Sequence, residues 1–498
     1  MKNRSLCISA VAALVAAAAL AGCGSTTYYA GRTLPPSGIA NRVLVAIQNP
    51  SAASTGALEI MDAYYDTRYA YNNINKTFAI SGYSGGLPIS IQNMPEEQVG
   101  AVYGSSDGSY MLINYAKETS SGAAATLPGL SSSVFISRNQ EYVFAASQQS
   151  HVLTVVDKTT TNAGTYSLSL PALYRVSMNP GGSVVLLFAQ GSNYVYYPRK
   201  LTSQETVRYN SGPTSWPKAA VDCEPQTGPG WCLFQAQSPD NTDSTGNHYG
   251  APLVFDAPTK AVFSADGGTA YVLNCGLECG GKKASVTSLS VAPMIYLISQ
   301  QSGTLPTQST LDKNTLIIPG GASNALVDSS TMYVAGLKQM PDSFWAGELT
   351  VVTLPTDSTT AMTAASPIPI SDGMPSGNGG GATSRMILAD NNTLWIGMMR
   401  CDQGERINNP STYGTAYGCL TMFNTSTNAV TLMPFNGDAT GIAAVTGLHK
   451  IYTAEGGQVY IYSTVDGSAI SNQYVTVTGT AYDVAYMDAD TDTNNTVY

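Results

Sequence analysis

A short repeated unit is the sequence feature that most restricts the possible folds of this chain. In each copy an apolar run, a turn rich in Asp, Asn and Gly, and a second apolar run follow one another, which is typical of antiparallel hairpins. The best-marked copies are YRVSMNPGGSVVLLFAQ from Tyr174, KAVFSADGGTAYVLN from Lys260, NALVDSSTMYVAG from Asn324, SRMILADNNTLWIG from Ser384 and TGIAAVTGLHKIYTAE from Thr440. A looser copy runs from Ile89 to Tyr115. The spacing of roughly 40 to 60 residues indicates a β-propeller type of repeat.

The stretch from Val134 to Leu170 shows one whole unit. Four short β-rich runs, VFIS, EYVFAAS, HVLTVVD and TYSLSLP, are separated by turns. The first three are apolar on both faces, whereas apolar and polar residues alternate in the fourth. A propeller blade requires this pattern, because two neighbours cover each blade and only its outermost strand meets water. We therefore predict four-stranded antiparallel blades.

The two ends of the repeated region complement each other. AYDVAYMD from Ala481 has the pattern of an innermost strand without its blade, and RVLVAIQ from Arg42, followed by ALEIMDAYY and KTFAISG, has that of a blade without its innermost strand. Joining the two would close a ring. The fold prediction is therefore all-β: a single β-propeller of seven or eight four-stranded blades over residues 42–498, closed by the N- and C-terminal strands.

One region breaks the period of the repeat. Residues 208–256 form a polar stretch that is rich in proline and contains Cys223 and Cys232. Connections of this length are uncommon without a role of their own. We interpret the stretch as an ordered insertion that its own disulfide holds together.

The first residues have the features of a lipoprotein signal peptide. Lys2 and Arg4 precede an apolar run that ends in Leu20-Ala21-Gly22-Cys23, and this run is shorter than the roughly 20 residues that span a bilayer. We expect cleavage after residue 22, a lipid on Cys23 and a flexible tether over residues 23–41. The expected location is the bacterial cell envelope. Because Gly24 and Ser25, and no acidic residue, stand directly after Cys23, we expect the outer membrane to be the anchoring membrane.

The remaining six cysteines suggest disulfides, since an even number is typical of an exported chain. They fall into three couples that are close in sequence: Cys223 with Cys232, Cys275 with Cys279, and Cys401 with Cys419. Neighbour pairing is the simplest of the connectivities that six cysteines allow. A zinc site fits poorly, because no histidine pair stands at the spacing that a zinc finger requires.

The third couple is expected to close a long loop. Cys401 ends the run LWIGMMRC and Cys419 begins CLTMFN, so the two would face each other across a hairpin. The polar segment between them carries Arg406, Tyr413 and Tyr417, residue types that are favoured at recognition sites. The segment is therefore either a structural staple alone or also a binding loop.

The repeats are similar to a known family. Copies such as KAVFSADGGTAYVLN and HVLTVVDKTT resemble the YVTN-type and YncE-like β-propellers of bacterial envelopes, and VDCEPQ, LNCGLECGG and YGCLTMFNTSTN resemble segments of a group of propeller lipoproteins. The resemblance covers nearly all of the mature chain. It implies an envelope location and binding of a protein or a surface, with no shared catalytic set. The string YVTN itself is absent, and the nearest match is Tyr271-Val272-Leu273-Asn274.

Motifs that would carry catalysis or bind a metal are weak. The GxSxG matches around Ser84 and Ser106 are each followed by a predicted strand, whereas a nucleophile elbow needs a helix there. The histidines, at 151, 248 and 449, are far apart in sequence. The DxDxD run from Asp488 lacks the glycine and glutamate of a calcium loop, so we expect a solvated terminal loop. We predict no catalytic residue, no metal site and no cofactor.

Charge and motifs together leave three functions open. With 23 Lys and Arg against 33 Asp and Glu, the chain would be repelled by nucleic acid. We expect a non-catalytic binding or scaffold module for an envelope protein or glycan. The alternatives are a lactonase- or lyase-type propeller enzyme, with carboxylates converging on the central channel, and an outer-membrane protein assembly factor that pairs through a strand edge.

Overall fold

The structure, a computed structural model, describes residues 34–490 except for 50–55, 71–72, 78, 128–129, 160–162, 225–229, 245, 340, 342–343, 356–359, 376–381, 400–418 and 435. Most of the described chain is β-structure. Its α-helices are Ser203–Tyr209 and Gln308–Lys313, and its 3-10 turns are Pro95–Glu97, Pro213–Ser215, Gly276–Cys279, Ala292–Met294 and Ile298–Gln300. In the described part of the chain, no helix is long and apolar enough to span a membrane.

The strands of the first half come in sets of four, with one set of five and one separate pair. They are β1 (Arg42–Gln48), β2 (Gly56–Asp62), β3 (Tyr69–Ala70) and β4 (Asn73–Thr77); β5 (Pro88–Met94), β6 (Val99–Gly104), β7 (Ser109–Asn114) and β8 (Thr119–Thr126); β9 (Ser133–Ile136), β10 (Tyr142–Ser147), β11 (Val152–Asp157) and β12 (Gly164–Ser169); β13 (Leu173–Met178), β14 (Val185–Ala189), β15 (Val195–Lys200), β16 (Ala220–Glu224) and β17 (Trp231–Gln235); and β18 (Asn241–Thr242) and β19 (His248–Tyr249).

The second half continues in the same way. Its strands are β20 (Pro258–Phe263), β21 (Thr269–Asn274), β22 (Ser285–Ser290) and β23 (Thr315–Ile317); β24 (Asn324–Asp328), β25 (Thr331–Gln339), β26 (Phe344–Thr353), β27 (Thr363–Ala364) and β28 (Ile368–Pro375); β29 (Ala382–Ala389), β30 (Thr393–Met399), β31 (Leu420–Asn424) and β32 (Val430–Leu432); β33 (Ala439–Val445), β34 (Lys450–Glu455), β35 (Gln458–Ser463) and β36 (Ala469–Val475); and β37 (Thr480–Tyr486).

These strands form eight antiparallel blades in the described residues, so the prediction of an all-β propeller is confirmed with the larger of the two blade numbers. Five blades are consecutive four-stranded meanders that start at β5, β9, β20, β29 and β33. The blade that starts at β13 has the order β13-β14-β15-β17-β16, and in the blade that starts at β24 both β27 and β28 pair with β26. The remaining blade, which we call the closing blade, has the order β2-β1-β37, with a bridge from Glu59 to Ala79 on its outer side. The last strand of the chain is therefore the innermost strand of the first blade.

The pairing of β37 with β1 closes the ring, as predicted from the sequence. The two strands are antiparallel, with Val43 opposite Tyr486 and Gln48 opposite Thr480. Buried apolar clusters provide independent support, because one lies between each pair of adjacent blades, including the pair formed by β33–β36 and the closing blade. Eight blades with eight buried interfaces make a closed ring, whereas an open arc would have seven.

A buried ion pair reinforces this closure. The guanidinium of Arg42 donates to Oδ1 and Oδ2 of Asp488, at 2.6 and 3.0 Å, and to Oε1 of Glu118 at 3.0 Å. Arg42 is 1% exposed and Asp488 2%. The expectation of a solvated terminal loop was therefore wrong for Asp488, because this carboxylate is needed to pair the buried arginine rather than to bind a cation.

Part of the predicted insertion completes the blade of β13–β15. The strand β17 pairs with β15, and β16 pairs with β17 and places Cys223 opposite Cys232, which form a disulfide. Two carboxylates of β16 also cover the edge of the preceding blade. Asp222 accepts the backbone N–H of Ser169 in β12 at 2.6 Å, and Glu224 accepts that of Ser167. Side chains thus satisfy donors that would otherwise be open to another strand.

Candidate functional site: a ring of equivalent residues around the channel

The innermost strand of each blade has an irregularity at the same place. In six blades the register with the neighbouring strand shifts and leaves one residue unpaired. In the other two, Ser132 and Ser323 donate their N–H to the carbonyls of Ala146 and Ala335, which lie opposite the next residue. The residue that follows the irregularity is therefore equivalent in every blade. We call these residues the bulge ring: Asp483, Ser90, Ser133, Arg175, Lys260, Asn324, Arg385 and Gly441.

The ring concentrates positive charge in an acidic protein. Its charged members are Arg175, Lys260 and Arg385 against Asp483, although the chain as a whole has a formal net charge of −10. A β-bulge re-aims the side chain that follows it and is often found beside functional sites. The repeated bulge thus sets one residue per blade at a common level of the channel, and Arg175, Lys260 and Asn324 occupy this position in three successive blades.

Lys260 is the most unusual member of the ring. Its side chain is buried at 4% exposure, and Nζ donates to Oδ1 of Asn324 at 2.8 Å. No carboxylate forms an ion pair with it among the residues that the structure describes. Burial and the positive charges of Arg175 and Arg385 hold the pKa of Lys260 well below its usual value. An anion placed beside this ammonium would relieve both penalties.

Arg385 is held by a carboxylate from another blade. Its Nη2 donates to Oδ2 of Asp483 at 2.6 Å, and the same oxygen accepts the backbone N–H of Ile91 at 2.8 Å. Burial raises the pKa of Asp483, and the guanidinium and the N–H bonds oppose that rise. The contact ties the innermost strands β29, β37 and β5 together, so one arginine of the ring is already neutralised.

Arg175 lies beside an acidic residue from a disulfide-closed loop. Its guanidinium carbon is 5.5 Å from the centre of the Tyr174 ring, and its charge acts on Glu278. Cys275 and Cys279 form a disulfide around the 3-10 turn that carries Glu278. Burial raises the pKa of Glu278 to about 7, while a hydrogen bond from the Leu337 N–H at 3.1 Å acts in the opposite direction. Glu278 can therefore gain or lose a proton near neutral pH.

A cavity of about 220 Å³ extends from the ring along the channel. Lys260 and Ala325 line the end near the ring, and Phe135, Val262 and Leu326 are among the apolar side chains farther along. Along the innermost strands that line the cavity, the wall therefore changes from the basic ring to mainly apolar side chains, with Arg138 beyond the end of β9.

Hydrogen bonds between blades account for the other polar members of the wall. Ser133 Oγ exchanges bonds with the backbone of Val176 at 3.2 Å, and Ser177 Oγ accepts the N–H of Ala261 at 3.1 Å. These bonds join innermost strands that do not pair in a sheet. Ser133 and Ser177 therefore have a structural role, which leaves the charged members of the ring for binding.

Of the residues that the sequence singled out, several lie outside the described residues: Cys23, Cys401, Arg406, Tyr413 and Tyr417. Cys419 is disulfide-bonded, and it follows β30 and precedes β31 in the blade that carries Arg385. The GxSxG serines, Ser84 and Ser106, lie in connections that lead into β5 and β7. Among the described residues, no group of three or more His, Cys, Asp and Glu could hold a metal ion.

The charged residues of the ring were not predicted from the sequence, although the repeats contain a signal for them. Three of the quoted copies, YRVSMN, KAVFSA and SRMILA, carry a basic residue immediately before their apolar run. These residues are Arg175, Lys260 and Arg385. The three copies of the repeat therefore carry the basic residues at equivalent positions, but only the bulge shows that this position lies in the channel.

The sequence matches no protein-family model and no curated protein. Similar solved structures include bacterial β-propellers of the gluconolactonase type. The periplasmic gluconolactonase of Pseudomonas aeruginosa is 12% identical, with 90% of this chain and 98% of that chain covered and a TM-score of 0.46. A putative 6-phosphogluconolactonase from Bacteroides fragilis is 10% identical, with 90% and 97% covered and a TM-score of 0.40. Dihydro-heme d1 dehydrogenase NirN is 10% identical, with 90% and 75% covered and a TM-score of 0.46.

Proposed function

We propose that this chain is a non-catalytic binding protein of the bacterial envelope, whose bulge ring holds an anionic group of an envelope protein or glycan. The observation that carries the proposal is Lys260, whose buried amino group donates to a neutral amide and forms no ion pair with a carboxylate among the described residues, and which lies beside two arginines. A buried cation without a counter-charge is costly for a fold. Such a cost is tolerated at sites where a ligand supplies the missing charge.

The geometry favours binding over catalysis because the ring offers donors. Arg175 and Lys260 can both donate charge-assisted hydrogen bonds, which are stronger than neutral ones. Hydrolysis of a lactone or a glycan would in addition need a nucleophile or an acid–base pair positioned on the substrate. Glu278 is the nearby carboxyl with a pKa near neutrality, and its proton tunes the charge beside Arg175.

Removing one ring cation should weaken anion binding at least tenfold. A charge-assisted hydrogen bond contributes about 1.5–3 kcal/mol, and about 1.4 kcal/mol corresponds to a factor of ten in affinity. We expect this loss for sulfate, measured by isothermal titration calorimetry, with Lys260→Met and with Arg175→Met. Lys338→Met is the matched control, because Lys338 is paired with Glu348 and does not belong to the ring.

Glu278→Gln should have the opposite effect, and only above neutral pH. At pH 8 the carboxylate repels an anion and the variant binds sulfate more tightly than the wild type, whereas at pH 6 the two agree. Sulfate keeps its charge over this range, so the ligand itself adds no pH dependence. Sulfate affinity that is the same in wild type, Lys260→Met and Arg175→Met would disprove the anion site.

The lipid anchor makes a separate prediction. We propose that residues 1–22 are a signal peptide and that the lipid on Cys23 is the attachment to the outer membrane. Cys23→Ala should abolish incorporation of labelled palmitate and move the protein from the detergent phase to the aqueous phase in a Triton X-114 partition. Cys7→Ala, which changes a cysteine inside the signal peptide, is the control. A Cys23→Ala protein that stays in the detergent phase would contradict the proposal.

A further inference from the structure

We propose that the bulge ring and the cavity beneath it form one site for a small amphipathic carboxylate, an aromatic or short aliphatic acid. The acid group would lie among Lys260, Arg175 and Asn324, and the apolar body would fill the channel. This inference rests on the proposed anion site and adds the chemistry of what is attached to the anion.

The size of the cavity indicates one ring or a short chain. An engineered cavity of about 150 Å³ that is lined by apolar side chains stays dry and binds benzene. The volume here, about 220 Å³, exceeds that by roughly the space of a few more heavy atoms. A benzene ring with one or two carbons attached would fit within this volume.

The polar groups in the cavity wall are already used by the protein. Gln92 accepts the Ile136 N–H and donates to the Ile136 carbonyl, both at 2.9 Å. Asn93 donates to the carbonyl of Tyr486 at 2.8 Å and accepts the Tyr115 hydroxyl at 2.6 Å. Ser177 Oγ is occupied by the Ala261 N–H. A ligand with many hydroxyl groups would therefore find few free partners in the cavity.

Arg138 and Asn179 also line the cavity, but Arg138 is paired with Glu96 and Glu97, and Asn179 donates to Ser183 Oγ and to the Gly267 carbonyl. The rest of the wall is mainly apolar. Phe135, Val262 and Leu326 line the cavity together with Met178 and Val327. Val262, Met178 and Val327 are only partly buried, so their surfaces are available to a ligand. Burying apolar ligand surface here is favourable by the ordinary hydrophobic effect.

Lys260 connects the bulge ring with the cavity. It belongs to the ring through its place after the β20 bulge, and it also lines the cavity. A carboxylate that pairs with Nζ would therefore have its substituent directed along the apolar channel. The basic group and the apolar space are adjacent, which is the arrangement that an amphipathic acid requires.

The test is a ligand series on the full-length wild-type protein, which needs no variant to fold. Acetate, butanoate, hexanoate, benzoate and phenylacetate would be titrated by calorimetry, with sulfate as the head-group probe and hexanol and benzyl alcohol as neutral analogues. One buried methylene contributes about 0.8 kcal/mol, so affinity should rise about fourfold per methylene. The rise should stop when the cavity is full. Benzoate should bind far more tightly than acetate, and the neutral analogues should bind weakly.

Two variants distinguish recognition of the acid group from recognition of the apolar body. Lys260→Met should weaken every acid by a similar factor, and Val262→Phe should remove the preference for benzoate while sulfate affinity stays at the wild-type level. If sulfate binds but acetate and benzoate bind equally, the amphipathic site is disproved and the anion site stands. If neither sulfate nor any acid binds, both proposals fail. Neutral analogues that bind as tightly as the acids would also overturn the inference, because the ring would then have no part in recognition.

Discussion

A chain that ends at Gly479 should fail to form a stable propeller. The truncation removes β37, which is the innermost strand of the closing blade and pairs with the whole length of β1. Its apolar residues fill two interfaces, since Val484 packs in the cluster shared with β33–β36 and Ala485 in the cluster shared with β5–β8. Loss of both interfaces and of one blade edge should abolish the cooperative melting transition in circular dichroism and calorimetry.

The matched control for this truncation is a chain that ends at Asp490. It keeps β37 and Asp488, so the ion pair with Arg42 is intact. We expect its melting temperature to equal that of the full chain. A protein that ends at Gly479 and melts within a few degrees of the full chain would show that β37 does not close the ring.

Arg42→Met should lower the free energy of unfolding by about 3–5 kcal/mol, the range found when one partner of a buried ion pair is removed. The substitution leaves the carboxylates of Glu118 and Asp488 without the guanidinium that both contact. It also removes the bond from Nη1 to the Tyr115 carbonyl at 2.6 Å. Urea denaturation followed by tryptophan fluorescence would measure the loss.

Two further variants identify the cause of that loss. Arg208→Met changes an exposed arginine of the helix Ser203–Tyr209, and it should alter the unfolding free energy by less than about 0.5 kcal/mol. The double variant Arg42→Met with Asp488→Leu should recover part of the loss, because it no longer buries that carboxylate alone. A double variant less stable by the sum of both single effects would mean that Arg42 acts through packing and not through charge.

The repeat was sufficient to predict the fold because every copy has the same pattern of apolar runs and turns. Each copy marks a hairpin, and the unmatched ends around Arg42 and Ala481 identify the strands that meet. The number of blades was left open between seven and eight, since one weak copy of the repeat could have been an insertion. The strands β16 and β17 were not predicted, because they come from a stretch with no repeat pattern. Pairing between β15 and β17 depends on a chain excursion that local sequence does not encode.

The candidate site could be predicted only in part, for a different reason. Basic residues in three copies are visible in the sequence, yet their meaning depends on the bulge, a feature of backbone pairing. Glu278 lies beside the ring because a separate loop carries it there, and the ring member Asp483 is 98 residues from its partner Arg385 in sequence. Such contacts arise from closure of the ring. The same holds for Asp488, whose DxDxD setting suggested exposure until its distant partner Arg42 was known.

Closure through the last strand has a consequence for how the protein is made. Synthesis runs from the N-terminus, so β1 and β2 are complete long before β37 exists. Arg42 cannot pair with the carboxylate of Asp488, which is 446 residues farther along the chain, until that residue has been made. Intermediate blades can pair locally as they emerge, but the first blade cannot acquire its inner strand until β37 has emerged as well. Completion of the native state is therefore a late event between distant segments, and contacts of such separation are slow to form. Until then the chain remains an open arc whose two end surfaces are free for chaperones.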